Sequence, residues 1–156
     1  MRHVIPTLGL VAALVLLPIR PIDPAVAPYN KKYDISYAAT DITCLAKNIY
    51  HEARGETRQG KVAVAQVTLN RALRTGASIC NTVYRKAQFS WTNSRRLRVK
   101  DLDAWSEAEQ IAKSAMSGRL FIEGFEATYY HTKQVAPYWR TSRTYIRTIG
   151  NHIFYI

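Results

Sequence analysis

Six consecutive residues, His51-Glu52-Ala53-Arg54-Gly55-Glu56, carry the side chains best suited to acid chemistry. Apolar residues recur before them at Ile42, Leu45, Ala46, Ile49, Tyr50 and Ala53, the spacing of a helix that buries one face. Glu52 then falls in the last turn, beside the buried stripe and near the negative end of the helix dipole. Both surroundings disfavour the ionised carboxylate and predict a raised pKa. A carboxylic acid that keeps its proton near neutral pH can serve as a general acid. The same residues are also compatible with a surface glutamate next to Arg54.

The elements that must position this group follow from periodicity and caps. Thr40 or Asp41 is expected to cap the first helix, and Gly55 to end it in the left-handed conformation. Thr57 is the expected cap of a second helix over residues 58–71, apolar nearly all round and therefore central. A short helical piece is expected at 82–86, followed by Gln88-Phe89-Ser90-Trp91 and a basic polar loop over 93–100. Asp101 or Asp103 starts a further helix with Ala104, Trp105, Ala108, Ile111, Ala112 and Ala115 on its buried side, closed by Gly118. Residues 127–131 are rich in strand formers, and Gly150-Asn151 joins residues 144–149 to 153–156 as a hairpin. The predicted class is α+β, mainly α, with a small β-hairpin element near the C-terminus.

The 156 residues suffice for one domain with a proper core. Lys and Arg number 22 against 11 acidic residues, a net charge of +11, which implies an anionic partner: nucleic acid, a membrane surface or a bacterial envelope. A basic start, an apolar run over 4–17 and Ala25-Val26-Ala27 read as an export signal with a cleavage motif. Residues 1–27 are thus read as a signal peptide or a signal anchor, the latter a membrane tether. Residues 28–39 are read as a linker and 40–156 as the catalytic domain. An exported chain meets an envelope rather than DNA, and its positive residues are scattered, so no nucleic-acid partner is expected. In an oxidising compartment Cys44 and Cys80 can form a disulfide worth about 3–4 kcal/mol; the alternative is two buried thiols.

The zinc-protease pattern fails, because Gly55 stands four residues after His51. His51, His131 and His152 come from separate segments, and no nucleophile-elbow serine is present, so neither a metal site nor a cofactor is expected. Glycosidic cleavage fits better. It needs a proton donor at the bridging oxygen, often with a second carboxylate as nucleophile or base. Glu56 is the nearest second acid, but Gly55 interrupts the helix between them. One dominant carboxylate suits a substrate that brings its own nucleophile, such as a muramic acid residue attacking through its C6 hydroxyl.

Several blocks now form an ordered pattern: residues 51–56, residues 60–71, Gln88-Phe89-Ser90-Trp91, Tyr129-Tyr130-His131 and residues 150–155. From about Asp41 to the C-terminus the chain resembles the cell-wall hydrolase family of the spore cortex-lytic enzyme SleB. The resemblance implies a lysozyme-like fold related to lytic transglycosylases, with peptidoglycan as substrate and Glu52 as the catalytic glutamate. Lytic transglycosylase, hydrolytic muramidase, zinc-dependent amidase and non-catalytic wall binder all remain open at this point, as does a role in bacterial wall remodelling or in phage lysis. Asn70, Gln88 and Ser90 are candidates for sugar hydroxyls and acetamides. Trp91, Tyr129, Tyr130 and Trp139 are candidates for stacking on sugar faces or for the core. His152 is placed to orient the site or close the hairpin, His51 and Glu56 to support Glu52, and His131 to be structural or exposed.

Overall fold

The computed structural model describes residues 38–94 and 98–156 and the backbone of Val26–Ala27. The rest of the expected signal and linker, and part of the 93–100 loop, lie outside the described residues. Within them the chain runs α1 (Ala39–Ala53), α2 (Arg58–Thr75), α3 (Ile79–Tyr84) and α4 (Leu102–Met116), with strands before and after. β1 (Val26–Ala27) pairs antiparallel with β2 (Phe121–Ile122), so two residues of the expected leader lie against the domain. β3 (Tyr129–Thr132), β4 (Tyr145–Ile149) and β5 (His152–Tyr155) form an antiparallel sheet in the order β3-β5-β4. Among the described residues no helix is long and apolar enough to cross a membrane.

Caps and turns explain most boundaries. Thr57 Oγ1 accepts from Gly60 N at 3.2 Å and Asp101 Oδ1 from Ala104 N at 3.0 Å, each starting a helix as expected. α2 runs four residues past its predicted end, to Gly76 at φ 64°, which supplies the left-handed stop instead of the tail of the apolar run. The expectations for α1 need correction at both ends. Ala38 is its N-cap and offers no side-chain cap, while buried Asp41 instead accepts from Cys80 N at 2.8 Å and fastens α3. Gly55 is not left-handed: the chain leaves α1 by a tight turn, Glu56 N donating to Ala53 O at 2.9 Å, which satisfies that carbonyl directly.

α2 is the buried axle, with Val62, Ala63, Val64, Ala65 and Val67 fully enclosed by α1, α4 and the segment after α4. Its polar residues hold neighbouring chain rather than water. Gln66 Nε2 donates to Ile122 O and Phe125 O, each at 3.0 Å, and its Oε1 accepts from Ile122 N at 2.8 Å. Such buried amides are tolerated because the backbone groups they meet would otherwise be unpaired. This clamp sets where the chain enters β3. A disulfide between Cys44 and Cys80 ties α1 to α3.

Candidate active site

Glu52 stands in the last turn of α1, half buried, and its Oε2 accepts a hydrogen bond of 2.9 Å from Tyr130 Oη on β3. Burial pushes the Glu52 carboxyl above the usual carboxylate range, against the opposing effects of the Tyr130 bond and the Arg71 charge. Burial likewise pushes the Tyr130 phenol well up, and the adjacent Glu52 charge adds to it. Tyr130 therefore keeps its proton and donates, which leaves the second carboxyl oxygen of Glu52 for a labile proton. The arrangement is that of a general acid that can also act as a base once it has given its proton away.

The groups around this pair come from four elements. Arg71, on α2, donates from Nε to Thr128 O at 2.6 Å and lies 5.1 Å over the Phe89 ring. On β5, His152 meets the Tyr130 ring edge to face at 5.0 Å. His152 is buried, and burial lowers its pKa more than Glu56 raises it, so the 3.8 Å approach of its Nδ1 to Glu56 Oε1 joins a neutral ring to a carboxylate and is no ion pair. Glu56 Oε2 accepts from Asn151 N at 3.1 Å, which locks the hairpin turn against the start of α2. On the far side of Glu52, His51 stacks on Trp91 at 4.7 Å and is held neutral by burial and by the charges of Arg54 and Lys47.

A cleft of about 630 Å³ adjoins this pair: Tyr130 lines it, and Glu52 reaches it only through its bond to Tyr130. Of the residues named from the sequence, Gln88, Tyr129, Tyr130 and Trp139 line it. The structure places the other candidates elsewhere. Asn70 is fully engaged as scaffold: it is buried and donates from Nδ2 to Phe125 O and Ala127 O, each at 3.0 Å, so its expected sugar contact is withdrawn. Trp91 lies outside the cleft, its Nε1 donating to Asn48 Oδ1 at 2.9 Å. Ser90 is exposed in the short 3₁₀ turn Ser90–Asn93, also outside the cleft, and His152 is buried against the Tyr130 ring and does not line the cleft. His131 is structural, its ring nitrogens meeting Thr132 O at 2.8 Å and Tyr155 Oη at 3.0 Å. The three histidines thus turn to separate partners, and among the described residues no three metal-ligating side chains converge.

Sequence reasoning missed Arg71, Arg74 and Arg85, which all line the cleft. A signal for the first was present: an arginine directly after the apolar run of α2 has to find a partner in the interior or a ligand.

Comparison with known proteins places this architecture. The fold matches the catalytic domain of the germination-specific lytic transglycosylase SleB from Bacillus anthracis, with a TM-score of 0.66 and 27% identity over 78% of this chain and 98% of that one. The catalytic domain of Bacillus cereus SleB matches with a TM-score of 0.64 and 28% identity, over 81% and 98% of the two chains. In sequence, the profile of the family described as cell wall hydrolase matches residues 55–155, starting just after Glu52. The chain belongs to the cell wall hydrolase family. It is 33% identical over 134 residues to a spore cortex-lytic enzyme of Bacillus cereus, covering 81% of this chain and 49% of the relative. A spore cortex-lytic enzyme of Bacillus subtilis is 31% identical over 125 residues, covering 76% and 38%. The chain therefore spans half or less of the length of these relatives.

Proposed function

We propose that this protein degrades peptidoglycan by cutting the glycan strand between N-acetylmuramic acid and N-acetylglucosamine, as a lytic transglycosylase with Glu52 as its one acid and base. The observation that carries this reading is the isolation of Glu52. Its neighbour Glu56 is occupied by the hairpin turn, no second carboxylate is among the groups acting on Glu52, and the adjoining cleft has no Asp or Glu among its described lining residues. A two-carboxylate glycosidase needs a second acid across the bond. A substrate nucleophile needs none. In this mechanism protonated Glu52 gives its proton to the bridging oxygen as the glycosidic bond breaks. The resulting carboxylate takes the proton of the muramic C6 hydroxyl as that oxygen closes on C1. Glu52 ends protonated, and the product carries a 1,6-anhydro ring. The likeness to a SleB domain described as a lytic transglycosylase supports the same reading.

Mass spectrometry of purified wall digested by the protein tests it. Anhydromuramic ends are expected; reducing muramic ends alone would identify a hydrolytic muramidase, and freed stem peptides an amidase. The proposed setting is the cell envelope, reached through the N-terminal segment as a cleaved signal or a retained tether. The Cys44–Cys80 disulfide suits such an oxidising compartment.

A further inference from the structure

One wall of the cleft is built of arginine. Arg71 and Arg74 come from α2 and Arg85 from the end of α3, and all three line the same cavity. Arg71 Nη1 is buried and has no hydrogen-bond partner, a costly state for a cation unless a ligand completes it. Arg74 makes only a long contact, Nη1 to Thr128 Oγ1 at 3.5 Å. No carboxylate is among the described residues lining the cavity; Glu52, outside that lining, is the acid whose charge reaches Arg71. Ala87, on the same wall, is held at φ 62°, a conformation that non-glycine residues rarely adopt and that tends to mark functional sites.

Three guanidinium groups around one cavity select an anion, and planar carboxylates match their paired N–H groups. In a peptide-substituted glycan strand the N-acetylated sugars carry no charge, because the lactyl carboxyl of each muramic acid is tied up in the amide bond to its peptide. In peptidoglycan the carboxylates belong to the peptide arm on the lactyl group of each muramic acid. We infer that this cleft holds that peptide arm through its carboxylates, so that the protein selects peptide-substituted glycan over bare glycan. The inference rests on the glycan-cleavage reading for the identity of the polymer. Tyr130 makes the placement productive, since it lines the cleft and also bonds Glu52. An arm seated on the arginines would lie one side chain from the proton donor. Asn81 and Gln88 can bond the arm's amides, and Trp139 can cover its apolar side.

Calorimetric titration of the Glu52→Gln protein separates the possibilities. Three ligands are compared: the N-acetylglucosamine–N-acetylmuramic acid disaccharide with its lactyl carboxyl blocked as the methylamide, the same disaccharide with a tripeptide bearing free carboxylates, and that compound with its carboxylates amidated. The free-carboxylate compound is expected to bind at least about tenfold tighter than the other two, the scale of one charge-assisted hydrogen bond. Adding Arg74→Gln and Arg85→Gln is expected to bring that ratio close to one. Equal affinity for all three ligands, a ratio that survives the arginine changes, or equally strong competition by inorganic phosphate would each overturn the inference. Wild-type digestion of peptide-bearing and peptide-stripped strands provides the separate check on the reaction. Cleavage of both at one rate refutes the selectivity and keeps the reaction. Cleavage of neither, with the binding ratio intact, refutes the reaction and keeps the anion site.

Discussion

Tyr130 Oη donates to Glu52 Oε2 at 2.9 Å across 78 residues of sequence, joining the sheet to the end of the first helix. The bond favours the ionised form of Glu52 while burial opposes it more strongly, so the carboxyl settles above its ordinary pKa without being stranded there.

Replacing Glu52 by Gln keeps the shape and removes the transferable proton. Clearing of a peptidoglycan suspension is expected to slow by about a hundredfold or more, the scale of general acid catalysis. The same change has a predicted effect on stability. Because the folded carboxyl holds its proton to higher pH than the unfolded one, Glu52 costs nothing when both states are protonated, below about pH 4. Its cost grows as pH rises through the folded pKa. Thermal melting of Glu52→Gln should therefore exceed wild type near neutral pH and match it in acid.

Tyr130→Phe removes the one hydrogen bond known to lower the Glu52 pKa. The alkaline limb of the pH–rate profile, where the acid loses its proton, is expected to move to higher pH. The rate at the optimum should fall by about tenfold, from one lost hydrogen bond to a charged group. A profile that does not move would show that Tyr130 does not tune Glu52.

Gly150 occupies φ 57° at the first turn position between β4 and β5, and a methyl group there would run into Glu56 Oε2. Gly150→Ala is expected to lose about 1–3 kcal/mol in denaturant unfolding from backbone strain and the displaced carboxylate. Trimming Glu56 to Ala in the same protein should relieve part of that loss, and a double-mutant cycle measures the coupling.

The Cys44–Cys80 bridge closes a loop of 36 residues between α1 and α3. Replacing both cysteines by Ala is expected to lower stability by about 3–4 kcal/mol through the freed unfolded chain. Alkylation of native protein should leave both sulfurs unlabelled.

EDTA is expected to leave wall clearing unchanged, since Glu52 and Tyr130 need no cation for proton transfer. Loss of activity that zinc restores would favour an amidase, with His51, His131 and His152 as its candidate ligands.

The helices were legible in the sequence because burial imposes a period on each of them. The hairpin was legible because Gly150-Asn151 interrupts two strand-forming runs. Glu52 was legible from its place at the end of an apolar stripe. What escaped was direction and distance. Asn70 looked like a sugar ligand from its neighbours, but a helix turns each residue by a fixed angle, and this one faces the carbonyls of Phe125 and Ala127. Asp41 looked like a cap for its own helix and serves another, 39 residues away. The sequence marks Tyr130 as a candidate stacking platform, whereas its hydroxyl is the informative end, through a partner no local pattern reveals.

The tie from Asn151 N to Glu56 spans 95 residues and that from Tyr130 to Glu52 spans 78. A chain is made from its N-terminus, so Glu52 exists long before the residues that surround it. Until the sheet has formed, the Tyr130 hydroxyl is not in place against that carboxyl. The proton donor is thus a property of the finished chain. A nascent or partly folded copy carries the residue without the partners that tune its acidity.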